Sequence, residues 1–316
     1  MKTHGPMKSN TPLPQFLLLG CAILSPVFSM NSQSISISSS QQPLFGARAT
    51  AMGDASASEA PDVMSMYSNP ASLCYLENYG IAMSAIVDWN SQSLIHSVAV
   101  PIRFGPEQAI AIGFSGSHDG NRWVMPQLTV YALDLAVAQI LTTSLSIGGD
   151  AQVRRASTTA SALWTASGSV GTFYSPSADV SYGLVLNNIG WGVNYNSADP
   201  PMYLQYDKSP QKSLEISASY RFPISTREPV LRLCFASQRL SGDADLIYKA
   251  GVEARVVDDL TLRVGDVNSP PFNYINGGIG LAVGRFHIDY AIAPSQSSGR
   301  YHQVTICLPI GSGLGR

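Results

Sequence analysis

From residue 79 onward, apolar side chains fall at every second position in runs of about ten residues, separated by short breaks rich in Gly, Pro, Ser, Asn and Asp. The run 79–89 is representative: Tyr79, Ile81, Met83, Ala85, Val87 and Trp89 form one face, Gly80, Ala82, Ser84 and Asp88 the other, with Ile86 as a large misfit. Similar runs lie at 94–104, 109–115, 131–138, 145–155, 166–174, 180–187, 214–222, 231–237, 248–256, 260–264, 279–283, 286–292 and 302–310. The pattern predicts about fourteen antiparallel strands and almost no helix beyond residue 75.

The charges decide which face is the core. Asp88, Arg103, Asp134, Asp150, Arg154, Glu215, Arg221, Arg232, Lys249, Glu253, Arg255, Arg263 and Asp289 all take the parity opposite the apolar series, among Gly, Ala, Ser and Thr. A soluble sandwich or lipocalin keeps its apolar face inside and carries abundant Lys and Glu outside. Here the non-apolar face has few charges, mixed in sign, and many tiny residues. That suits a narrow polar lumen with opposite charges paired across it and apolar side chains turned to lipid. The predicted fold is all-β: an antiparallel transmembrane β-barrel of about fourteen strands. Tyr79, Trp89, Phe104, Tyr174, Tyr220, Phe222 and Tyr248 stand near run ends, as interfacial girdles require.

Turn lengths give a direction. With the first strand running outward, the breaks after Phe104, Ala138, Tyr174 and Phe222, at 257–259 and at Gly284-Arg285 are short periplasmic turns. The breaks at 116–127, 188–212, 238–245, 266–276 and 293–300 are the external loops, 188–212 being the longest, while the first, at 90–93, is short. Trp191, Tyr195, Tyr203 and Tyr206 fall in that longest loop, where they serve either to hold a partner or to anchor at lipid headgroups. Pro101 cannot donate to a ladder and so marks a bulge or a strand end.

Composition agrees. Charged residues make up 13% of 316, against about 25% in soluble domains. The net charge of -2 gives no footprint for nucleic acid, and no apolar run reaches the roughly 18 to 20 residues of a spanning helix. Residues 1–29 read as an export signal, with Lys2 and Lys8 before the apolar stretch 16–28. Leu18-Leu19-Gly20-Cys21 offers a second reading, with Cys21 as a lipidated N-terminus. Cys74, Cys234 and Cys307 are odd in number and have no metal spacing, so neither a disulfide framework nor a metal site is expected. His4, His96, His118, His287 and His302 are scattered, and no Gly-rich step lies between a strand and a helix. Neither catalysis nor a cofactor is expected.

The stretch 30–76 differs from the barrel region, 77–316. Its part 41–76 is rich in Ala, Gly, Ser and Met and lacks alternation, and Arg48, Asp54, Glu59 and Asp62 can pair with lumen charges. It reads as a plug inside the barrel, with a periplasmic linker or an extra edge strand as the alternative. Within it, Gly46, Ala47, Arg48, Met52, Gly53, Asp62, Tyr67, Asn69, Pro70, Ala71 and Leu73 resemble the N-terminal signature of FadL-like outer-membrane barrels, especially their PorV/PorQ relatives. Leu186-Asn187-Asn188-Ile189-Gly190, Leu262-Arg263-Val264-Gly265 and Asp289-Tyr290-Ala291 resemble later steps of that group. The resemblance implies a fourteen-stranded barrel with an N-terminal hatch in the bacterial outer membrane. It implies either a channel for small hydrophobic, fatty-acid-like molecules or a surface platform that meets cargo or machinery of type IX protein secretion. A structural or adhesive role is a third expectation. The partners expected are outer-membrane lipid and one of these ligands or proteins.

Overall fold

A computed structural model describes residues 46–59, 62–76, 78–88, 93–118, 129–157, 162–195, 211–223, 229–243, 245–269, 272–295 and 299–312. The expected export signal, Trp89, Tyr203 and Tyr206 lie outside these residues. Fourteen antiparallel strands close into one barrel. In chain order they are β1 (Asn78–Asp88), β2 (Ser93–Arg103), β3 (Gln108–His118), β4 (Thr129–Thr142), β5 (Leu145–Ser157), β6 (Ala162–Tyr174), β7 (Val180–Tyr195), β8 (Ser213–Pro223), β9 (Pro229–Leu240), β10 (Leu246–Val257), β11 (Leu260–Ser269), β12 (Phe272–Val283), β13 (Phe286–Ser295) and β14 (Gly299–Ser312). Each strand pairs with its sequence neighbours, and β1 pairs with β14 over its whole length. The shortest have 10 residues, enough to cross a bilayer when tilted.

The alternation sets what each face meets. Along β4, Tyr131, Leu133, Leu135, Val137 and Leu141 are exposed outward, while Ala132, Asp134, Ala136 and Ala138 are buried within. The outer wall carries such residues all round, from Met83 to Ile306, a face that water would not tolerate and that hydrocarbon suits. Exposed aromatics gather towards strand ends: Phe104, Tyr174, Tyr182, Tyr220, Phe222 and Phe286 at one end, Tyr131, Trp164, Trp191 and Tyr248 at the other.

Several expectations are corrected. Tyr79 faces inward and is buried, because a bulge between Tyr79 and Gly80 inserts a residue into the β1–β14 ladder and reverses the side-chain parity. Strand β7 continues to Tyr195, so Trp191 and Tyr195 are strand residues rather than loop residues. Trp191 is 66% exposed, on the outer wall. The expected loop 266–276 is mostly strand, with only 270–271 between β11 and β12, and the expected loops at 238–245 and 293–300 shrink likewise. In each case polar residues near the rim continue the ladder, since beyond the hydrocarbon the alternation no longer needs to be apolar. Pro101 pairs with Ala111 without a bulge. It stands two residues past Ala99, where the β1–β2 ladder has ended, so no bond is lost on that side.

One end has the connections 104–107, 143–144, 175–179, 224–228, 258–259 and 284–285 (the short-turn end). The other has 89–92, 119–128, 158–161, 196–212, 241–245, 270–271 and 296–298 (the loop end). Leu135 sits midway along β4 and faces out. Leu135→Arg is expected to cost about 2–4 kcal/mol in reversible unfolding from lipid vesicles, whereas a charge placed at the exposed Leu141, by the turn, costs about 1 or less. Equal effects would mean the outer wall does not face a bilayer.

Candidate functional site

The candidate site is residues 46–76 together with the inner wall they touch. The segment holds one helical turn, α1 (Ala47–Ala51), and two 3-10 turns, Val63–Tyr67 and Pro70–Tyr75. Local chemistry explains each. Gly46 begins α1 at φ 114, a conformation that favours glycine. Asp62 caps the first 3-10 turn by accepting from the Met64 N–H at 2.7 Å, while its own N–H donates to Ser65 Oγ at 2.7 Å. Asn69 caps the second, accepting from Ala71 N–H at 3.2 Å, with Pro70 as its first residue.

Hydrogen bonds tie this segment to strands on opposite sides of the ring. Ala47 N–H donates to Thr305 Oγ1 at 2.8 Å, Thr50 Oγ1 to Gln303 Oε1 at 2.7 Å, and Asn276 Nδ2 to Thr50 O at 2.8 Å, joining α1 to β14 and β12. Asn69 Nδ2 donates to Ala57 O at 2.7 Å and to Thr172 O of β6 at 3.0 Å. Ser146 Oγ of β5 donates to Ala71 O at 2.7 Å, Ser181 and Ser219 of β7 and β8 donate to Ser58 O at 2.7 and 2.9 Å, and Tyr67 Oη donates to Val98 O of β2 at 3.0 Å. A chain bonded at once to β2, β5, β6, β7, β8, β12 and β14 of a closed ring lies inside it.

Packing differs on the two sides. Towards β1–β4, Val63, Met64, Met66, Leu73, Cys74 and Leu76 share an apolar cluster with Tyr79, Ala82, Ala99, Ala109, Ala111, Ala136, Ala138 and Ile140. Towards β9–β13 the fixation is ionic. Glu253 accepts from Arg48 Nε at 3.0 Å and Nη2 at 3.2 Å, from Arg232 Nη1 at 2.7 Å, and from Arg263 Nε at 2.8 Å, while Arg263 Nη1 also donates to Asp289 at 2.6 Å. Breaking such a part-buried group by removing one partner is costly, because the remaining charges are left without a counter-ion.

Glycines make the fit. A Cβ added at Gly265, Gly251 or Gly278 would strike Gly53, Met52 or Ala51, and one at Gly183, Gly171, Gly148 or Gly113 would strike Ala57, Asn69, Ala71 or Tyr67. Seven strands thus omit a side chain where the segment passes. At Gly53 and Asp54 the chain turns off α1 with φ 66 and 58. Met52 is fully buried with Ala55, Cys234 and Ala236.

All thirteen charges expected in the lumen take inward strand positions, and the structure brings some of them together. Arg232, Glu253, Arg263 and Asp289 form the cluster around Arg48, and Lys249 pairs with Glu215 at 2.7 Å. Arg221 is the cross-strand partner of Arg232, and Arg255 stands two residues along β10 from Glu253. Asp134 accepts from Gln152 Nε2 at 2.6 Å, and Asp150 and Arg154 follow on the inner face of β5. Asp88 is buried at the loop end of β1. Arg103 stays apart at the short-turn rim, donating to Gly105 O and Pro106 O and lying over the Tyr79 ring. Sequence reasoning missed the neutral contacts, Thr50, Ser84, Ser146, Ser181, Ser219, Asn276, Gln303 and Thr305, and the glycines. Small and polar residues at inward parity look alike whether they meet water or a packed chain.

Cys74, Cys234 and Cys307 are free, and burial pushes the Cys74 thiol up to about 11. No group of metal-binding side chains occurs among the described residues. Asp54 Oδ1, Ser58 Oγ and Glu59 Oε1 are buried with no hydrogen-bond partner among them. Burial raises both carboxyls to about 7, for Asp54 with Lys249 opposing and Glu215 adding, and for Glu59 with Arg48 opposing and Glu253 adding.

No protein-family model and no curated protein matches this sequence. Solved structures do. The toluene transporter TbuX of Ralstonia pickettii is 16% identical at a TM-score of 0.57, covering 84% of this chain and 97% of its own. The Pseudomonas putida toluene transporter TodX is 11% identical (TM-score 0.56, covering 83% of this chain and 96% of its own), and a Pseudomonas aeruginosa FadL homologue 10% identical (0.52, 82% and 96%).

Two predictions follow from the segment's fit. Gly265→Val places a side chain where Gly53 lies, and it is expected to expose Arg48 to trypsin in detergent-solubilised protein that keeps its strand content. Resistance equal to the parent would mean the wall can yield there. For pH, folded carboxyl values raised from about 4 to about 7 mean that the docked state binds extra protons, so docking is strongest below about 4 and weakens as pH rises to about 7. The protection of 46–76 against hydrogen exchange, taken relative to the intrinsic rate at each pH, should fall across that window, and Asp54→Asn with Glu59→Gln should flatten the dependence. The closed fourteen-strand antiparallel wall and its coverage by these structures give the chain the fold of the FadL, TodX and TbuX outer-membrane channels.

Proposed function

We propose that this chain is an outer-membrane channel for small hydrophobic molecules, with residues 46–76 as its plug and the loop end outward. The observation that carries this reading is the seating of the segment across the lumen, hydrogen-bonded on opposite sides and matched to glycines on seven strands. Such an insert leaves no wide aqueous pore, which suits a route for molecules that partition into lipid. A toluene transporter and a monoaromatic hydrocarbon channel share this fold, which supports an apolar cargo.

With the lumen obstructed, cargo leaves through the wall. The candidate exit is between β6 and β7, where the ladder jumps from Gly168↔Ile189 to Val170↔Leu186 and Asn188 takes a φ of 59. Other register shifts, at 79/80, 140/142, 222/223 and 255/257, fall at strand ends. A platform role in protein secretion draws no comparable support. Of the four aromatics that could anchor its partner, Trp191 and Tyr195 belong to β7, and Tyr203 and Tyr206 lie outside the described residues.

The test is whole-cell uptake of a radiolabelled aromatic hydrocarbon in a host lacking its own such channel. The parent is expected to raise uptake above background without admitting hydrophilic dyes, and deletion of 46–73 to admit both. Background uptake by the parent would dismiss the channel, and unchanged dye exclusion after deletion would dismiss the plug.

A further inference from the structure

The outer wall holds a feature that transport through the lumen does not use. Across β7–β11 the register aligns Tyr182, Ala218, Phe235, Ala250 and Asp266 in one row, and the adjoining row places Ile216, Ser237 and Tyr248 beside them. Tyr182, Ile216, Phe235 and Tyr248 are exposed on the outside, while the two alanines leave the space between them open. The result is a groove of about 560 Å³ in the lipid-facing wall. Its long side follows the row obliquely, from Tyr182 near the short-turn end of β7 to Asp266, three residues before the loop end of β11.

Asp266 is the element that gives this groove a chemistry. The other strand acids, Asp88, Asp134, Asp150, Glu215, Glu253 and Asp289, all face the lumen, so Asp266 is the one acid facing outward among the described strand residues. It makes no ion pair with a described residue, whereas Glu215, Glu253 and Asp289 each have one. Three residues from the loop end, the carboxylate stands close to the level of the lipid headgroups, where it is tolerated and where a cationic head can reach it. Lys249 also lines the groove, but its ammonium is turned inward onto Glu215 at 2.7 Å, so the charge the groove presents is the Asp266 carboxylate, complementary to an amphiphile with an apolar tail and a cationic head.

We propose that this groove binds an amino-headgroup lipid of the surrounding bilayer, its ammonium donating to the Asp266 carboxylate and an acyl chain lying between Phe235 and Tyr248 over Ala218 and Ala250. The site is separate from the lumen, so the proposal stands whether or not the chain transports hydrocarbons.

The experiment is native mass spectrometry of delipidated protein in detergent, given equal concentrations of phosphatidylethanolamine and phosphatidylglycerol with matched chains. The parent is expected to retain about tenfold more of the ethanolamine lipid, the discrimination of one charge-assisted hydrogen bond. Asp266→Asn should remove the preference while keeping some of both lipids, and Ala218→Leu with Ala250→Leu should lose retention of both. All three positions face out of the barrel, and retained strand content by circular dichroism confirms that each variant is folded. Equal retention by the parent, a preference surviving in Asp266→Asn, or displacement of the lipid by millimolar free ethanolamine would each overturn the proposal.

Discussion

Closure of the ring is the constraint from which the other features follow. In hydrocarbon an unpaired N–H or C=O has no water to turn to, so a sheet can cross only if its first and last strands meet. Here β1 meets β14 along its length, and the bulge at Tyr79/Gly80 falls at the short-turn end, where the ladder leaves the apolar band. Closure then divides every strand into two series, one against lipid and one against whatever fills the interior. The outer series is large and apolar because lipid demands nothing else. The inner series must fit a particular occupant.

That occupant is held by two different kinds of contact. Against β1–β4 the wall offers alanines, and the segment brings Met64, Met66 and Leu73, an apolar fit that shape alone can satisfy. Against β9–β13 the wall offers Arg232, Glu253, Arg263 and Asp289, and the segment brings one side chain, Arg48. Without Arg48, Glu253 would still have two arginines; without Glu253, three guanidiniums would share Asp289 alone among the acids of that cluster. Glu253 therefore sets the position of the ionic side, and Arg48 registers the segment on it.

The barrel was legible because its two faces differ in a property that alternates, and alternation survives small errors. Inward parity of Asp134, Glu253 or Arg263 needs only the period of two. Errors arose where the period breaks or where its meaning changes. Tyr79 reverses at a bulge that sequence does not mark. The loop expected over 266–276 is strand because near the rim Asn268 and Ser269 are as acceptable facing headgroups as facing water. The segment's fit was the least legible part. Gly148, Gly171, Gly183, Gly251, Gly265 and Gly278 are ordinary small residues until the chain passing over them is known, and that chain is 77 to 227 positions away. Asn69 was visible as part of a motif. Its role as a cap that also bonds to Thr172 on β6 depends on contacts between residues 103 positions apart.

Two sorts of uncompensated carboxyl remain, and their surroundings imply opposite uses. Asp54 and Glu59 are enclosed by protein, where burial disfavours the charged form and protonation is the accessible remedy. Their cost therefore falls as the medium becomes acidic, which couples the seating of the segment to pH. Asp266 is half-exposed on the lipid side, where a mobile amphiphile can approach. There a counter-charge from the bilayer can meet it. Exchange of Asp266 with an outward leucine such as Leu262, two outward positions away on β11, would remove the anion from the groove and keep its total on the wall. The position of the charge beside Ala250, at the end of the row that starts at Tyr182, and not merely its presence on the outer face, is what makes the groove selective.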